Sequence, residues 1–155
     1  DISDNSGMAA TLSRSLVGKE VGIVSPACLG PAAYRFSCQL NENSAIHATS
    51  SDVPEMNHNE IVAWSINEPT NRALLLLSSD DLHPRTTARI DWMIDEVEAS
   101  PTWVIDCDGE SLLERLLYAA HVTDWISIGL AVLTEEDPSD MHAIESLKSH
   151  LASIQ

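Results

Sequence analysis

Short apolar runs alternate with longer amphipathic segments along this chain, and the two patterns predict different elements. Residues 21–24 contain a β-branched run, and residues 74–77 are four consecutive leucines. Apolar runs this short, bounded by polar residues, predict strands that are buried on both faces of a sheet. The predicted strands cover residues 19–25, 45–49, 72–78 and 103–105, with a polar turn at 50–52.

Between and beyond these runs, apolar residues repeat at helical spacing. Ser111 and Glu114 have the spacing of a capping box at the start of a long apolar helix. Arg115, His121 and Asp124 interrupt that helix, so a buried core helix is favoured over a membrane span. The predicted helices cover 4–17, 31–43, 61–64, 80–97, 111–133 and 141–154, with Ser3 or Asp4 capping the first and residues 137–139 capping the last. Strands that alternate with helices predict a three-layer α/β/α fold, in which helices cover both faces of a parallel sheet.

Size and charge narrow the class of protein. The 155 residues are enough for one domain with a proper core. The net charge of -16, with only 8 lysines and arginines, argues against a nucleic-acid partner, because binding phosphates requires basic side chains. The chain begins at Asp1 rather than at a methionine, so we expect a piece of a longer protein.

The cysteines and the apolar segments bear on the cellular compartment. Cys28, Cys38 and Cys107 have neither CxxC nor zinc-ligand spacing, which predicts buried free thiols in a reducing cytoplasm. No signal segment opens the chain, and no apolar run approaches the length of a membrane span. We therefore expect a cytoplasmic protein with no membrane partner.

Candidate chemistry is concentrated in two motifs sixteen positions apart, Asn41-Glu42-Asn43 and Asn57-His58-Asn59. Side-chain amides can hold a carboxylate and an imidazole in place. A glutamate and a histidine held in this way can move a proton between adjacent carbons or open a sugar ring. In an α/β sheet such residues are expected in loops past the carboxyl ends of the strands and at helix ends, and Glu42 near a helix end and His58 in a loop fit that placement. Asparagine is also common in turns, so a pair of turn-rich loops is the alternative.

Other sites have weaker signals. The loop from Ser25 to Gly30 precedes a predicted helix and could hold an anion, although a plain strand-to-helix turn is favoured. The sequence contains no HExxH motif and no aspartate-rich metal loop, so we predict no metal and no other cofactor.

The order in which the motifs occur along the chain is more specific to a protein family than any single motif. They are Asn41-Glu42-Asn43, Pro54 to Glu60, Asp124-Trp125-Ile126-Ser127, Asp137-Pro138 and Leu147-Lys148. This order resembles the C-terminal half of the bifunctional phosphoglucose/phosphomannose isomerases, which are sugar isomerase (SIS) domain proteins of bacteria and archaea. The resemblance covers essentially the whole chain. It implies that residues 1–155 form a single SIS domain, a parallel sheet flanked by helices, and that this domain is the C-terminal half of a two-SIS-domain protein.

The resemblance also implies an activity. It is the aldose–ketose isomerisation of glucose 6-phosphate, and of mannose 6-phosphate, to fructose 6-phosphate through a cis-enediol. By the family pattern Glu42 is the base that moves the proton between C1 and C2. His58 assists ring opening at the neighbouring subunit's site in a homodimer, and Lys148 approaches the ring oxygen. The asparagines Asn41, Asn43 and Asn57 are the implied substrate-binding residues.

Two departures from the family limit this expectation. Family members usually carry a lysine shortly after the Asn-Glu-Asn motif, where this chain has Ser44-Ala45-Ile46. The family's first SIS domain, with its Ser/Thr-rich phosphate loop and an active-site arginine, is not in this sequence. Catalysis depends on holding the phosphosugar, so we expect the isolated 155 residues to be inactive without an N-terminal SIS domain.

Two alternatives remain open. One is a non-catalytic SIS module that binds a phosphosugar or serves as an interaction domain. The other is a plain α/β interaction domain with polar loops, which we expect if Glu42 and His58 lie far apart and no dimer connects them.

Overall fold

Four parallel strands form one sheet in the order β2-β1-β3-β4. The computed structural model describes residues 7–66, 71–97 and 100–154. The strands are β1 (Glu20–Pro26), β2 (Ala48–Val53), β3 (Arg72–Ser78) and β4 (Thr102–Asp106). The helices are α1 (Met8–Leu16), α2 (Gly30–Ser44), α3 (Glu60–Trp64), α4 (Pro84–Glu96), α5 (Leu112–Thr134) and α6 (His142–Ala152). Two 3₁₀ turns, Ala27–Leu29 and Glu55–His58, follow β1 and β2.

Helices cover both faces of the sheet, as the alternating pattern predicts. Helices α1, α2 and α5 pack on one face around a buried cluster that includes Phe36, Leu75 and Ile126. Helices α3 and α4 pack on the other face, where Trp64, Leu76 and other apolar side chains form a second cluster. Alternate leucines of β3 enter opposite clusters, which confirms that this strand is buried on both faces.

Strand β2 differs from its prediction. The sequence predicts a strand at 45–49 followed by a turn at 50–52, whereas β2 covers Ala48–Val53. Its backbone pairs with β1 from Val21↔Ala48 to Pro26↔Val53, so the polar residues 49–52 belong to the strand. They can do so because β2 is an edge strand and its side chains need not all enter the core.

Helix α5 is the long helix of the domain, and its predicted capping box is present. The Ser111 hydroxyl accepts from the Glu114 amide, and the Glu114 carboxylate accepts from the Ser111 amide. By length and composition α5 is long and apolar enough to cross a membrane, so the prediction that no apolar run approaches that length is wrong. In this fold it packs against α1 and α2, and it buries side chains such as Ile126 and Leu130. One side of α5 therefore lies in the core of this domain, whereas Leu113, Leu117 and Val132 are exposed.

The ends of the chain differ in part from the predicted caps. The caps expected at Ser3 or Asp4 lie outside the described residues. Residues 137–139 do not cap α6, because α6 begins only at His142, whose amide donates to the Asp140 carboxylate. The predicted apolar stripe of α6 is not covered, since every residue from 142 to 154 is exposed.

The cysteines correct one prediction. All three are free thiols, but only Cys107 is buried, whereas Cys28 and Cys38 are exposed. Cys38 lies on the outer side of α2, and Cys28 lies in the 3₁₀ turn after β1, so neither faces the core. Burial raises the pKa of the Cys107 thiol to about 11.

Candidate functional site

The Asn-Glu-Asn motif forms the last turn of α2, and its asparagines connect that turn to its surroundings. The Asn41 amide nitrogen donates to the carbonyl oxygens of Ser37 and Ala48 at 2.6 and 2.9 Å. Its oxygen accepts from the Ala48 amide at 3.2 Å. Asn41 therefore joins the end of α2 to the first residue of β2.

The last two residues of this turn join α2 to α5. The Asn43 amide nitrogen donates to the Gln39 side chain at 2.6 Å and to the Ser127 hydroxyl at 3.0 Å. The Ser44 hydroxyl donates to the Ser127 carbonyl at 2.8 Å. The first motif of the sequence thus contacts the Asp124–Ser127 motif, 84 positions later.

Asp124 completes this connection between α2 and α5. Its carboxylate accepts from the Gln39 amide at 2.9 Å and forms an ion pair with the guanidinium of Arg35. Sequence reasoning did not assign Arg35 or Gln39. Arg35 and Gln39 lie eight and four residues before Asn43 on one helix, which places all three on the same side of that helix. This spacing is the sequence feature that could have identified them.

Glu42 is the exception within this turn. Its side chain is exposed, and among the described residues its carboxylate has no hydrogen-bond or ion-pair partner. The backbone on both sides of Glu42 is fixed by the bonds of Asn41 and Asn43. The result is a free carboxylate on an anchored backbone, which is what a base that must reach a bound molecule requires.

His58 lies in the 3₁₀ turn that follows β2, and it too is exposed. The Asn59 side chain accepts from the Glu60 amide at 2.6 Å, at the start of α3. The Asn57 amide nitrogen lies 3.3 and 3.6 Å from the sulfurs of Met56 and Met93, and thioether sulfur is a weak acceptor. The Asn57 oxygen is buried and has no hydrogen-bond partner among the described residues.

Glu42 and His58 lie at opposite ends of β2 in one chain. Glu42 precedes the strand, and His58 follows it. The six residues of β2 are joined by five steps of about 3.3 Å, so the two ends of the strand lie about 17 Å apart. Glu42 lies near a helix end and His58 lies past the carboxyl end of a strand, as expected, but the two residues are at opposite ends of the sheet. Helix α2 starts where β1 ends and runs back along the sheet, so its last turn reaches the opposite edge.

Lys148 lies on α6 and is exposed. No hydrogen bond or ion pair connects it to another described residue. The structure of one chain thus does not assemble Glu42, His58 and Lys148 in a single cleft.

The possible anion site at Ser25 to Gly30 has an acidic neighbour. The Ser25 hydroxyl lies 3.4 Å from Oδ1 of Asp52, and a Cβ placed on Gly30 would lie 3.1 Å from the same oxygen. The Asp52 carboxylate therefore stands at the start of α2, where a bound anion would meet like charge. This geometry favours the plain turn over an anion site.

A second cluster of charge lies at the carboxyl ends of β3 and β4. The largely buried Arg115 donates to Asp81 at 2.7 Å and to Asp80 at 3.1 Å. This pairing connects the start of α5 to the loop after β3. Within residues 7–66, 71–97 and 100–154, no group of three or more histidine, cysteine or acidic side chains could hold a metal ion.

Comparison with known proteins adds to this geometry. A family profile described as the bacterial phospho-glucose isomerase C-terminal SIS domain matches residues 5–151. The bifunctional phosphoglucose/phosphomannose isomerase of Aquifex aeolicus is 37% identical over 123 residues, which cover 77% of this chain and 38% of that protein. The protein of the same name from Thermoplasma volcanium is 33% identical over 121 residues, 77% of this chain and 39% of that protein. The chain thus spans well under half the length of these curated relatives.

The fold has a solved counterpart. A glucose-6-phosphate isomerase like protein from Thermus thermophilus superposes with a TM-score of 0.69 at 14% identity. The match covers 89% of this chain and 47% of that protein. At this identity the comparison shows the fold alone.

Proposed function

Because the chain belongs to the family of bacterial phosphoglucose isomerase C-terminal SIS domains, we propose that it carries the proton-transfer residues of a phosphosugar isomerase. The reaction is the interconversion of glucose 6-phosphate or mannose 6-phosphate with fructose 6-phosphate through a cis-enediol. The named activity of its relatives supports this substrate class.

One observation carries the proposal, namely the free Glu42 carboxylate on its anchored backbone. In the forward direction the carboxylate takes the proton from C2 of the open-chain aldose, and the electron pair forms the C1–C2 double bond of the enediol. The same group, now protonated, returns the proton to C1, and the carbonyl forms at C2 as the hydroxyl proton of O2 passes to O1, the former aldehyde oxygen. The step conserves all atoms and needs no redox partner. Asn41 and Asn43 support it by fixing the turn that bears Glu42.

The position of His58 supports a site shared between two copies of the chain. One chain cannot bring His58 to its own Glu42, because β2 separates them by about 17 Å. A two-fold axis perpendicular to β2 exchanges the ends of the strand, so each His58 can approach the Glu42 of the other copy. There His58 transfers a proton to or from the ring oxygen as the sugar ring opens. We propose a homodimer for this reason.

The rest of the proposed site is divided between this chain and a preceding domain. We propose that Lys148 approaches the ring oxygen, that Asn57 contacts the sugar, and that a preceding SIS domain holds the phosphate. The length of the curated relatives supports such a domain, since this chain covers only 38% of the Aquifex aeolicus protein. We therefore expect the isolated chain to have little activity, because an acid and a base catalyse a reaction poorly without residues that hold the substrate in place. We place the protein in the cytoplasm, where phosphosugars are metabolised.

Mixing two inactive variants tests the shared site directly. In the full-length protein, Glu42→Gln and His58→Asn should each lose about 10²–10⁴-fold in kcat/KM. A dimer of one variant with the other contains one intact site, so an equal mixture that re-equilibrates should recover about a quarter of wild-type activity. Full activity in Glu42→Gln alone would exclude the proton-transfer role. No recovery in a mixture that contains mixed dimers would exclude the shared site.

A non-catalytic phosphosugar-binding module is the second candidate, and the sequence Ser44-Ala45-Ile46, where family members usually carry a lysine, favours it. Under this function the full-length wild-type protein binds fructose 6-phosphate but produces no glucose 6-phosphate. Isothermal titration with a coupled isomerase assay on the same sample separates the two functions.

A further inference from the structure

Helix α6 is an amphipathic helix with no core to pack against in this chain. Every residue from 142 to 154 is exposed. Its large aliphatic side chains follow one another at helical spacing. We define the α6 stripe as Ile144 (39% exposed), Leu147 (57%) and Leu151 (55%) of the helix together with Ile154 (63%), two residues past its end.

An isolated helix of this size is not stable by itself. Helix α6 has 11 residues, whereas single helices shorter than about 12–15 residues are marginal in water. Most helical stability in proteins comes from packing an apolar face. Helix α6 packs extensively against no other element of the described chain. The contact that stabilises it must therefore come from another polypeptide segment.

The preceding helix presents apolar side chains as well. Leu117, Ile128 and Val132 of α5 are 61%, 39% and 72% exposed, and their spacing places them on one side of that helix. Apolar groups gathered in this way on successive helices mark an interaction site more often than isolated exposed residues do.

The charge of α6 argues against a lipid surface as its partner. Helices that lie on membranes are usually rich in lysine and arginine on their polar face. Within α6 Lys148 is the only lysine or arginine, and the chain as a whole carries a net charge of -16. A protein surface is the better match.

We propose that the α6 stripe docks on the SIS domain that precedes this chain in its full-length protein. The relatives supply the reason, because the chain corresponds to little more than a third of their length. Lys148 is adjacent to Leu147 in the helix, so docking of the stripe carries the lysine ammonium to the boundary between the two domains. This part rests on the proposed function, since a lysine at that boundary can approach the ring oxygen of a sugar that the preceding domain holds.

Hydrogen exchange in the full-length protein tests the docking without any measurement of activity. The amides of residues 146–152 should exchange at least about tenfold more slowly than in an unfolded peptide, since docking protects the helix. Protection should disappear in the double variant Leu147→Asp/Leu151→Asp. It should persist in the control Tyr34→Asp, which places the same charge on another exposed side chain, 66% accessible on α2. Rapid exchange of these amides in the wild-type protein would overturn the proposal.

Two further results identify a different partner and would also overturn it. Protection that falls on dilution points to a second copy of the chain, and protection that appears only with lipid vesicles points to a membrane.

The variant Lys148→Ala separates the docking of α6 from the proposed role of Lys148 in the reaction. If α6 stays protected in this variant while kcat/KM is unchanged, the proposed role of Lys148 fails and the docking stands. If protection is lost only in the aspartate variant and activity falls in both, the docking and the role of Lys148 both stand.

Discussion

Two segments of this domain have the same sequence pattern, a titratable residue between two asparagines, and different structures. In Asn41-Glu42-Asn43 both amides form hydrogen bonds, to β2 and to α5, and the central carboxylate is free. In Asn57-His58-Asn59 one amide meets only methionine sulfurs and has a buried oxygen without a described partner. Asparagine in the first motif builds a rigid support. In the second it leaves hydrogen-bonding capacity unused, which a bound molecule or a second chain can satisfy.

The largest expected effect concerns the free carboxylate of the first motif. Glu42→Gln in the full-length protein should lower kcat/KM by about 10²–10⁴-fold, because the amide cannot accept the substrate proton. The midpoint of urea unfolding should not change, since the carboxylate has no partner to lose. Glu96→Gln, at an exposed glutamate on α4, is the matched control. If Glu42→Gln lowers the midpoint of urea unfolding as well as kcat/KM, Glu42 is part of the structural support, and the contrast between the two motifs fails.

The variant Asn41→Ala should show how much the hydrogen bonds of Asn41 contribute to the stability of the domain. Asn41→Ala removes two hydrogen bonds between α2 and β2 and one within α2, and it should lower the free energy of unfolding by about 1–3 kcal/mol. Urea denaturation of the chain measures this. Asn71→Ala, at an exposed asparagine, should change it by less than about 0.5 kcal/mol. If the two variants unfold alike, the first motif is no more anchored than a surface loop.

Asn59 should contribute less. Its side chain accepts one hydrogen bond, from the Glu60 amide at the start of the five-residue α3. Asn59→Ala should therefore lower the free energy of unfolding by about 1 kcal/mol, as the loss of a helix cap does. The same denaturation series with Asn71→Ala gives the measurement and its control. A loss larger than that of Asn41→Ala would reverse the comparison between the motifs.

Among the asparagines of the two motifs, the smallest effect on stability is expected at Asn57. Asn57→Leu replaces an amide with an unpaired buried oxygen by an apolar group, so the free energy of unfolding should stay within about 1 kcal/mol of wild type or rise. If the unused oxygen serves a ligand, KM for fructose 6-phosphate should increase in the full-length protein while the fold is kept. A loss of stability comparable to that of Asn41→Ala would show that this amide is structural.

The sequence predicts much of the fold because local patterns determine it. The apolar runs of β1 and β3 and the capping box of α5 are short-range signals, and all three are confirmed. Strand β2 is misplaced because its polar residues resemble a turn, and only pairing with β1 makes them a strand. The order of the motifs identified the family correctly, as the match over residues 5–151 confirms.

The candidate site was harder to predict than the fold. The two motifs indicated that Glu42 and His58 belong to one site, but their spacing in the sequence could not show that the edge strand β2 separates them. That fact depends on the direction in which α2 crosses the sheet, which is a property of the whole topology. The partner of Asn43, Ser127, lies 84 positions away and is likewise determined by packing rather than by local pattern.

The separation of Glu42 and His58 by β2 has a consequence for how the activity depends on the amount of protein. Under the proposed function a single polypeptide contains both residues and still lacks a complete site. Specific activity should then increase with protein concentration and level off above the dissociation constant of the dimer. A newly synthesised chain is inactive until it dimerises, so the formation of the dimer determines when catalysis begins.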